Sequence, residues 1–242
     1  MCIRDSLDGV WDSTDTHLVP PIIAMLRGDA NVGVRAAAAR ALAHYVLLAE
    51  WGQIRPGAAS PIVEALLAEY DRPNVAPEVK RAALEAVAAS NQPRIPDLIL
   101  NAYDDGPDEL QLSAIFAMGL TADQRWLPIL DDEMQSPSAD FRAEAARAAG
   151  SLGSADSIDA LEGLLSDADI EVAMAAVYAL GQIGGDRATE LLTRLAEDPN
   201  YEELYDAIDE ALEEMDELEF DLLALDEDAF EDDDDLLDLR AN

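Results

Sequence analysis

One cysteine and two histidines stand among 242 residues, and 15 lysines and arginines face 52 aspartates and glutamates. A single thiol excludes a disulfide framework and a cysteine-based zinc site. His17 and His44 alone leave almost nothing for imidazole metal ligation or acid–base chemistry. The net charge of −37 works against nucleic acid, whose phosphates demand clustered Lys and Arg. It equally disfavours an anionic membrane surface. No run approaches the roughly 18 apolar residues of a membrane span. Met1 to Ser6 (MCIRDS) lacks the apolar centre of a secretory signal. The expectation is a cytoplasmic chain without cofactor or metal, whose partner is a protein or peptide rather than nucleic acid or membrane.

Repetition is what the sequence does have. A segment beginning at Val34 (VRAAAARAL) recurs from Val79, Leu110, Phe141, Val172 and Leu204, at spacings of 45, 31, 31, 31 and 32 residues. The longer first interval carries an insertion near Trp51 to Ser60, where Gly52, Pro56 and Gly57 signal a loop. Counting from the first residue of each segment, offset 4 reads Ala38, Ala83, Ala114, Ala145, Ala176 and Ile208. Offset 7 is alanine in every copy: Ala41, Ala86, Ala117, Ala148, Ala179 and Ala211. Offset 8 reads Leu42, Val87, Met118, Ala149, Leu180 and Leu212. Offsets 0, 4, 7, 8 and 11 share one helical face, so each segment is read as a helix, B, with a core stripe. Alanine in that stripe lets neighbouring helices approach closely.

A helix A is expected before each B: Pro21 to Leu26, Pro61 to Tyr70, Leu98 to Tyr103, Leu127 to Met134, Ile158 to Leu165 and Thr189 to Ala196. Pro61, Pro96 and Pro128 sit at or just before the starts, where a missing N–H costs nothing. Asp29, Asp71, Asp104, Asp167 and Asp198 follow helix A and suit the cap of helix B. Gly119, Gly150, Gly153, Gly181 and Gly184 are read as closing B helices. No run alternates with the period of two that a strand requires.

The segment Asp29…Val34-Arg35…Ala38 and the run Ala179-Leu180-Gly181-Gln182-Ile183-Gly184-Gly185 resemble HEAT repeats. The usual HEAT period is roughly 40–47 residues, so the chain most resembles the short type of phycobilisome lyase-related proteins. It also resembles bacterial HEAT-repeat proteins with acidic tails. The resemblance covers Leu18 to Asp216 and implies an all-α fold, a right-handed α-solenoid of about six helix pairs. It implies little about function, because this fold carries scaffolds, lyases and hydroxylases alike. Three regions are expected: a leader over 1–10, the solenoid over 11–216 and a disordered acidic tail over 217–242. The leader matches nothing downstream and its first six residues resemble a translated sequencing adapter, so it is excluded from the fold. Val10, Trp11 and Leu18 are candidates to cap the first unit. The sixth unit departs from the pattern at Tyr205 and Glu213, as a terminal repeat does. The tail holds 12 acids and one base, Arg240; its run Glu231 to Asp235 stays solvated, while its interspersed leucines and phenylalanines form either a docking segment or a partial cover.

Tests for catalytic chemistry find little. HEAT-type hydroxylases bind iron through His-Glu pairs, and no His-Glu dipeptide occurs here. His44 is expected at a surface or boundary position near the end of the first B helix. Calcium-loop, phosphate-loop and Gly-x-Ser-x-Gly patterns are absent. No catalytic, cofactor or metal residue is assigned. The enzymatic alternative is a bilin lyase or bilin-binding chaperone, carried by the resemblance alone.

Function therefore rests on a surface. Offsets 2, 5, 6 and 9 of helix B are expected to point away from the core stripe. Offset 2 reads Ala36, Arg81, Leu112, Ala143, Met174 and Asp206, and offset 6 reads Arg40, Glu85, Phe116, Arg147, Tyr178 and Glu210. These columns vary where the core columns do not, which marks an individualised face. The candidate partner-binding residues are an apolar centre of Leu112, Phe116, Met174 and Tyr178 with Arg81 and Arg147 beside it. The competing reading is that repeat packing buries Phe116 and Met174. An acidic–hydrophobic peptide, the chain's own tail included, is expected to suit the arginines.

Overall fold

A computed structural model describes residues 13–216; the leader, Val10 and Trp11 of the expected cap, and the acidic tail lie outside the described residues. Among the described residues there are twelve α-helices and no strand. They form six pairs: α1 (Val19–Gly28) with α2 (Val32–Glu50), α3 (Ser60–Tyr70) with α4 (Pro77–Val87), and α5 (Ile95–Asp105) with α6 (Asp108–Leu120). Then come α7 (Leu127–Glu133) with α8 (Ala139–Leu152), α9 (Ile158–Leu164) with α10 (Ile170–Ile183), and α11 (Gly185–Ala196) with α12 (residues 205–216). All six A helices fall on their expected segments, and Pro61, Pro96 and Pro128 occupy first turns. The even-numbered B helices stack on one another, and each of the first five A helices packs against its own B helix. The result is an α-solenoid whose units are held by their neighbours.

The core columns at offsets 4 and 7 are buried as read, whereas Leu212 at offset 8 and Thr121, Leu152 and Ile183 at offset 11 are half-buried. All six residues of offset 4, from Ala38 to Ile208, are without solvent exposure, and the six alanines of offset 7 are buried. Phe141 is the exception in offset 0: it is half-buried and packs on the core from its edge. The outward assignment fails for offsets 5 and 9 and holds only in part at offset 2, where Ala36 and Ala143 are buried and Arg81, Leu112 and Met174 half-buried. Offset 5 (Ala39, Leu84, Ile115, Ala146 and Val177) is fully buried, and at offset 9 Ala88, Gly119, Gly150 and Gly181 are buried. A B helix in a stack has a neighbour on each side as well as its own A helix, so its buried arc is wider than one stripe. In α12 these columns become Asp209 and Glu213, both exposed, with no further unit beside them among the described residues.

Three of the glycines expected to end B helices instead lie inside them. A Cβ on Gly119 would stand 2.9 Å from the Cα of Ala148, one on Gly150 2.7 Å from the Cα of Ala179, and one on Gly181 3.0 Å from the Cβ of Ala211. Offset 9 of one unit thus seats on the alanine of offset 7 in the next, and the pair sets the spacing of α6, α8, α10 and α12. Gly153 and Gly184 do terminate α8 and α10, with φ of +65° and +64°.

The caps also differ from expectation. Asn31 and Asp169, not the preceding aspartates, cap α2 and α10, accepting from the N–H groups of Gly33 and Glu171. Asp29 and Asp167 stand two residues earlier and accept from the N–H of those cap residues, closing the turn. Asp198 does the same for a 3-10 turn, Asp71 pairs with Arg94, and Asp104 lies within α5. Between units, Arg35 binds the buried Glu69 at 2.6 Å, and Arg142 grips both oxygens of Asp167 at 2.7 and 2.8 Å.

At the first unit, the insertion is largely an extension of α2 to Glu50, followed by a turn through Gly52 and a 3-10 turn at Pro56–Ala58. By length and composition α2 could cross a membrane, contrary to the expectation that no run is long and apolar enough. It is the core helix of the first unit, packed between α1 and α4 and mostly buried. His44 is buried rather than at the surface, its Nε2 3.0 Å from the carbonyl oxygen of Ser13. Tyr45 donates to the carbonyl oxygen of Asp15, so residues 13–15 lie along α2. Leu18, expected in the cap, is exposed.

Candidate functional site

The outward residues of α6, α8 and α10 border two contiguous hollows on the B-helix face. The first, of about 460 Å³, is lined by Arg81, Leu112, Phe116 and Arg147 together with Glu85, Ser113 and Glu144. The second, of about 510 Å³, runs from Phe116 and Leu120 past Arg147 to Tyr178 and Gln182. Phe116, Glu144 and Arg147 line both and form the ridge between them.

Of the six candidate residues, five border these hollows. Phe116 is 42% and Tyr178 37% exposed, each on the solvent side of its helix. Leu112 and Arg81 are half-buried and Arg147 is exposed. Met174 is half-buried like Leu112, but it packs against the core and lines neither hollow. Repeat packing thus partly covers Met174 and leaves Phe116 open.

Two further residues, Ser113 and Glu144, escaped the sequence reading. Ser113 is buried, accepts a hydrogen bond from Arg81 Nε at 2.9 Å, and has Glu85 Oε1 at 2.5 Å as one acceptor for its hydroxyl. This link joins the second and third units under the first hollow. Glu144 extends into the ridge with 20% side-chain exposure and a single ion pair, to Arg147 at 3.4 Å. Burial raises its pKa above the usual glutamate value; Arg147 opposes that shift and the Glu85 carboxylate adds to it. The signal lay in offset 3, which reads Ala37, Ala82, Ser113, Glu144, Ala175 and Ala207. Two polar residues interrupt a column otherwise made of alanine.

Tyr178 donates to Glu210 at 3.1 Å, and this bond to a carboxylate, with partial burial, raises the phenol's pKa. The lining of the first hollow carries five acids (Glu85, Asp140, Glu144, Asp169 and Glu171) against Arg81 and Arg147. Among the described residues no cluster of three or more His, Cys, Asp or Glu side chains is arranged to hold a metal ion. His17 and His44 both belong to the first unit, outside the hollows.

The family model for HEAT repeats matches residues 95–165 and 127–213, two overlapping stretches that run through the units bearing the hollows. The chain is a HEAT-repeat protein. Similar solved structures include an engineered protein, 21% identical, covering 82% of this chain and 96% of that one with a TM-score of 0.47. A designed armadillo repeat protein in complex with the peptide (KR)4 is 20% identical, with 81% and 99% covered and a TM-score of 0.45. Human deoxyhypusine hydroxylase in complex with glycerol is 18% identical, with 89% and 79% covered and a TM-score of 0.44. At such identities the likeness concerns the repeat architecture alone. No curated protein matches the chain.

Proposed function

We propose that this HEAT-repeat protein is a non-catalytic interaction scaffold that holds a peptide, or a peptide-like segment of a protein, on the B-helix face of its second to fifth units. One observation carries the reading. Two aromatic side chains, Phe116 and Tyr178, stand exposed over contiguous hollows, with Arg147 between them, on helices whose other large apolar residues are packed except Ile170 at the start of α10. A fold that needed only stability would gain nothing from an exposed phenylalanine and tyrosine there, whereas aromatic anchors beside hydrogen-bonding groups are what peptide grooves use. Arg81, Leu112, Phe116, Arg147 and Tyr178 are the proposed contact residues. The alternative of a bilin lyase has no observation in the hollows that favours it.

The test is affinity capture followed by mass spectrometry with the wild-type chain and with the double variant Phe116→Ala/Tyr178→Ala. The double variant keeps the helical circular dichroism spectrum and loses the partners that the wild type retains. Retention of the same partners at the same strength would place the interaction elsewhere on the chain.

A further inference from the structure

Resting on that reading of the groove, we infer that its occupant is cationic: a peptide segment with arginine or lysine flanking an apolar anchor, and not an acidic one. The charge balance of the first hollow is net negative, five carboxylates against two guanidinium groups. Both arginines already face acids of the lining, so the field an incoming carboxylate meets is set by the excess of acids. Arg81 is tied to Ser113, and through that hydroxyl to Glu85, while Arg147 pairs with Glu144 across the ridge. The acids are less well matched. Glu144 is mostly buried and has only the long contact to Arg147. A carboxylate held out of water with so little compensation is stabilised by any cation that arrives beside it. Asp140 and Glu171 are exposed at the starts of α8 and α10 and extend the negative rim.

The aromatic ridge fits the same occupant. The face of an exposed phenylalanine attracts an arginine or lysine of the ligand by cation–π interaction and repels an anion. An apolar side chain of the ligand would seat against Leu112 and Phe116 in the first hollow, with basic neighbours reaching Glu144 and Glu85. The acidic segment 217–242, with its 12 acids, is the wrong partner for this lining. The sequence-based expectation that it would compete for the groove reverses once the five acids around the two arginines are in view.

The test uses fluorescence anisotropy on the full chain with two synthetic probes. One is a labelled peptide of roughly ten residues, four arginines around a central leucine pair. The other is the chain's own segment 217–242. Because the whole protein is acidic, the decisive comparison is between two variants that lose equal charge. Glu85→Gln/Glu144→Gln removes two charges from the groove, and Asp186→Asn/Glu190→Gln removes two from the exposed side of α11. The basic peptide binds the wild type and weakens with salt. It loses about tenfold in affinity, the change expected of close charge pairs, with the groove variant and less than about twofold with the α11 variant. The acidic peptide does not bind.

Equal losses in the two charge variants, or no binding of the basic peptide, overturn the inference. Binding of the acidic peptide that is abolished by Phe116→Ala/Tyr178→Ala overturns the charge assignment and leaves the groove as the binding face. Binding of either peptide that ignores Phe116→Ala/Tyr178→Ala overturns both readings.

Discussion

The helix spacing of this solenoid predicts opposite outcomes for the same substitution at two helical glycines. In an exposed helix interior, glycine to alanine is worth about 1 kcal/mol of stabilisation through backbone entropy. Gly163, in α9, has no atom within 4 Å of where a Cβ would stand. Gly163→Ala should therefore stabilise the fold by about 0.5–1 kcal/mol. At Gly150 the added methyl would meet the Cα of Ala179 at 2.7 Å and its Cβ at 2.8 Å. A backbone atom cannot rotate away, so α8 and α10 must separate. Overpacking of this kind costs about 1–3 kcal/mol; with rigid backbone on both sides the upper figure applies, leaving a net loss of about 2 kcal/mol after the propensity gain.

For a chain of this size about 1 kcal/mol corresponds to roughly 2–4 °C in melting temperature. Gly150→Ala should then melt about 4–8 °C below the wild type, and Gly163→Ala slightly above it. Thermal unfolding followed by circular dichroism measures both. The cost should fall in the order Gly150, Gly119, Gly181, following contacts of 2.7, 2.9 and 3.0 Å. A double-mutant cycle with Ala179→Gly should show a coupling of at least about 0.5 kcal/mol, since that change removes one of the clashing atoms. A melting temperature for Gly150→Ala at or above the wild type would refute the claim that this contact sets the spacing of α8 and α10.

Two further perturbations test other parts of the fold. Arg142 holds the pKa of Asp167 below the usual aspartate value by hydrogen bonding, so the pair's contribution is present above the ordinary aspartate range and is lost as pH falls through the depressed value. Arg142→Ala should cost about 1–3 kcal/mol at neutral pH, and its deficit relative to the wild type should close on acidification; a deficit constant with pH in a denaturant titration would contradict this. Phe141 is half-buried, so Phe141→Ala should cost about 2 kcal/mol rather than the roughly 3–5 of a fully buried phenylalanine. A wild-type-like unfolding midpoint would remove this residue from the core column.

The sequence carried the repeat because a stacked helix repeats its constraints. Alanine recurs at offset 7 since the next helix stands on it, and Ala148, Ala179 and Ala211 each meet a glycine of the preceding unit. The A helices were legible from proline at their first turns and from short apolar runs. Offsets 5 and 9 were misread because a single-face picture assumes one neighbour, whereas a B helix in the stack has several. The exchange of Val177 and Gly181 for Asp209 and Glu213 in the sixth unit, at the same two columns, was the available clue. The candidate face was legible at offset 6, whose exposed residues follow from helical geometry. Offset 2 lies nearer the seam between units, which is why Ala36 and Ala143 are buried and Met174 half-buried. The contacts of both arginines were not legible, since Arg81 meets a serine of the next unit and Arg147 an acid, both in a column that otherwise holds alanine.

That interrupted column yields the last prediction. Ser113 and Glu144 occupy offset 3 in the third and fourth units, where every other unit has alanine buried between helices. A polar side chain in such a place costs desolvation unless it is fully partnered. Ser113 is partnered by Arg81 and Glu85, but Glu144 has only Arg147 at 3.4 Å, and burial raises its pKa. A carboxyl with a raised folded pKa binds its proton more tightly in the native than in the unfolded chain. The fold is therefore stabilised as pH falls from above that raised value to below the ordinary glutamate range, and the charged form is a burden at neutral pH. Glu144→Gln removes the burden while keeping the shape. It should melt at or above the wild type at neutral pH, lose that advantage on acidification, and bind the basic peptide less tightly. Stability gained with binding lost is the signature of a residue retained for a ligand. If Glu144→Gln is instead less stable at neutral pH, Glu144 serves the α8 packing through Arg147, and the departure from alanine in this column is structural.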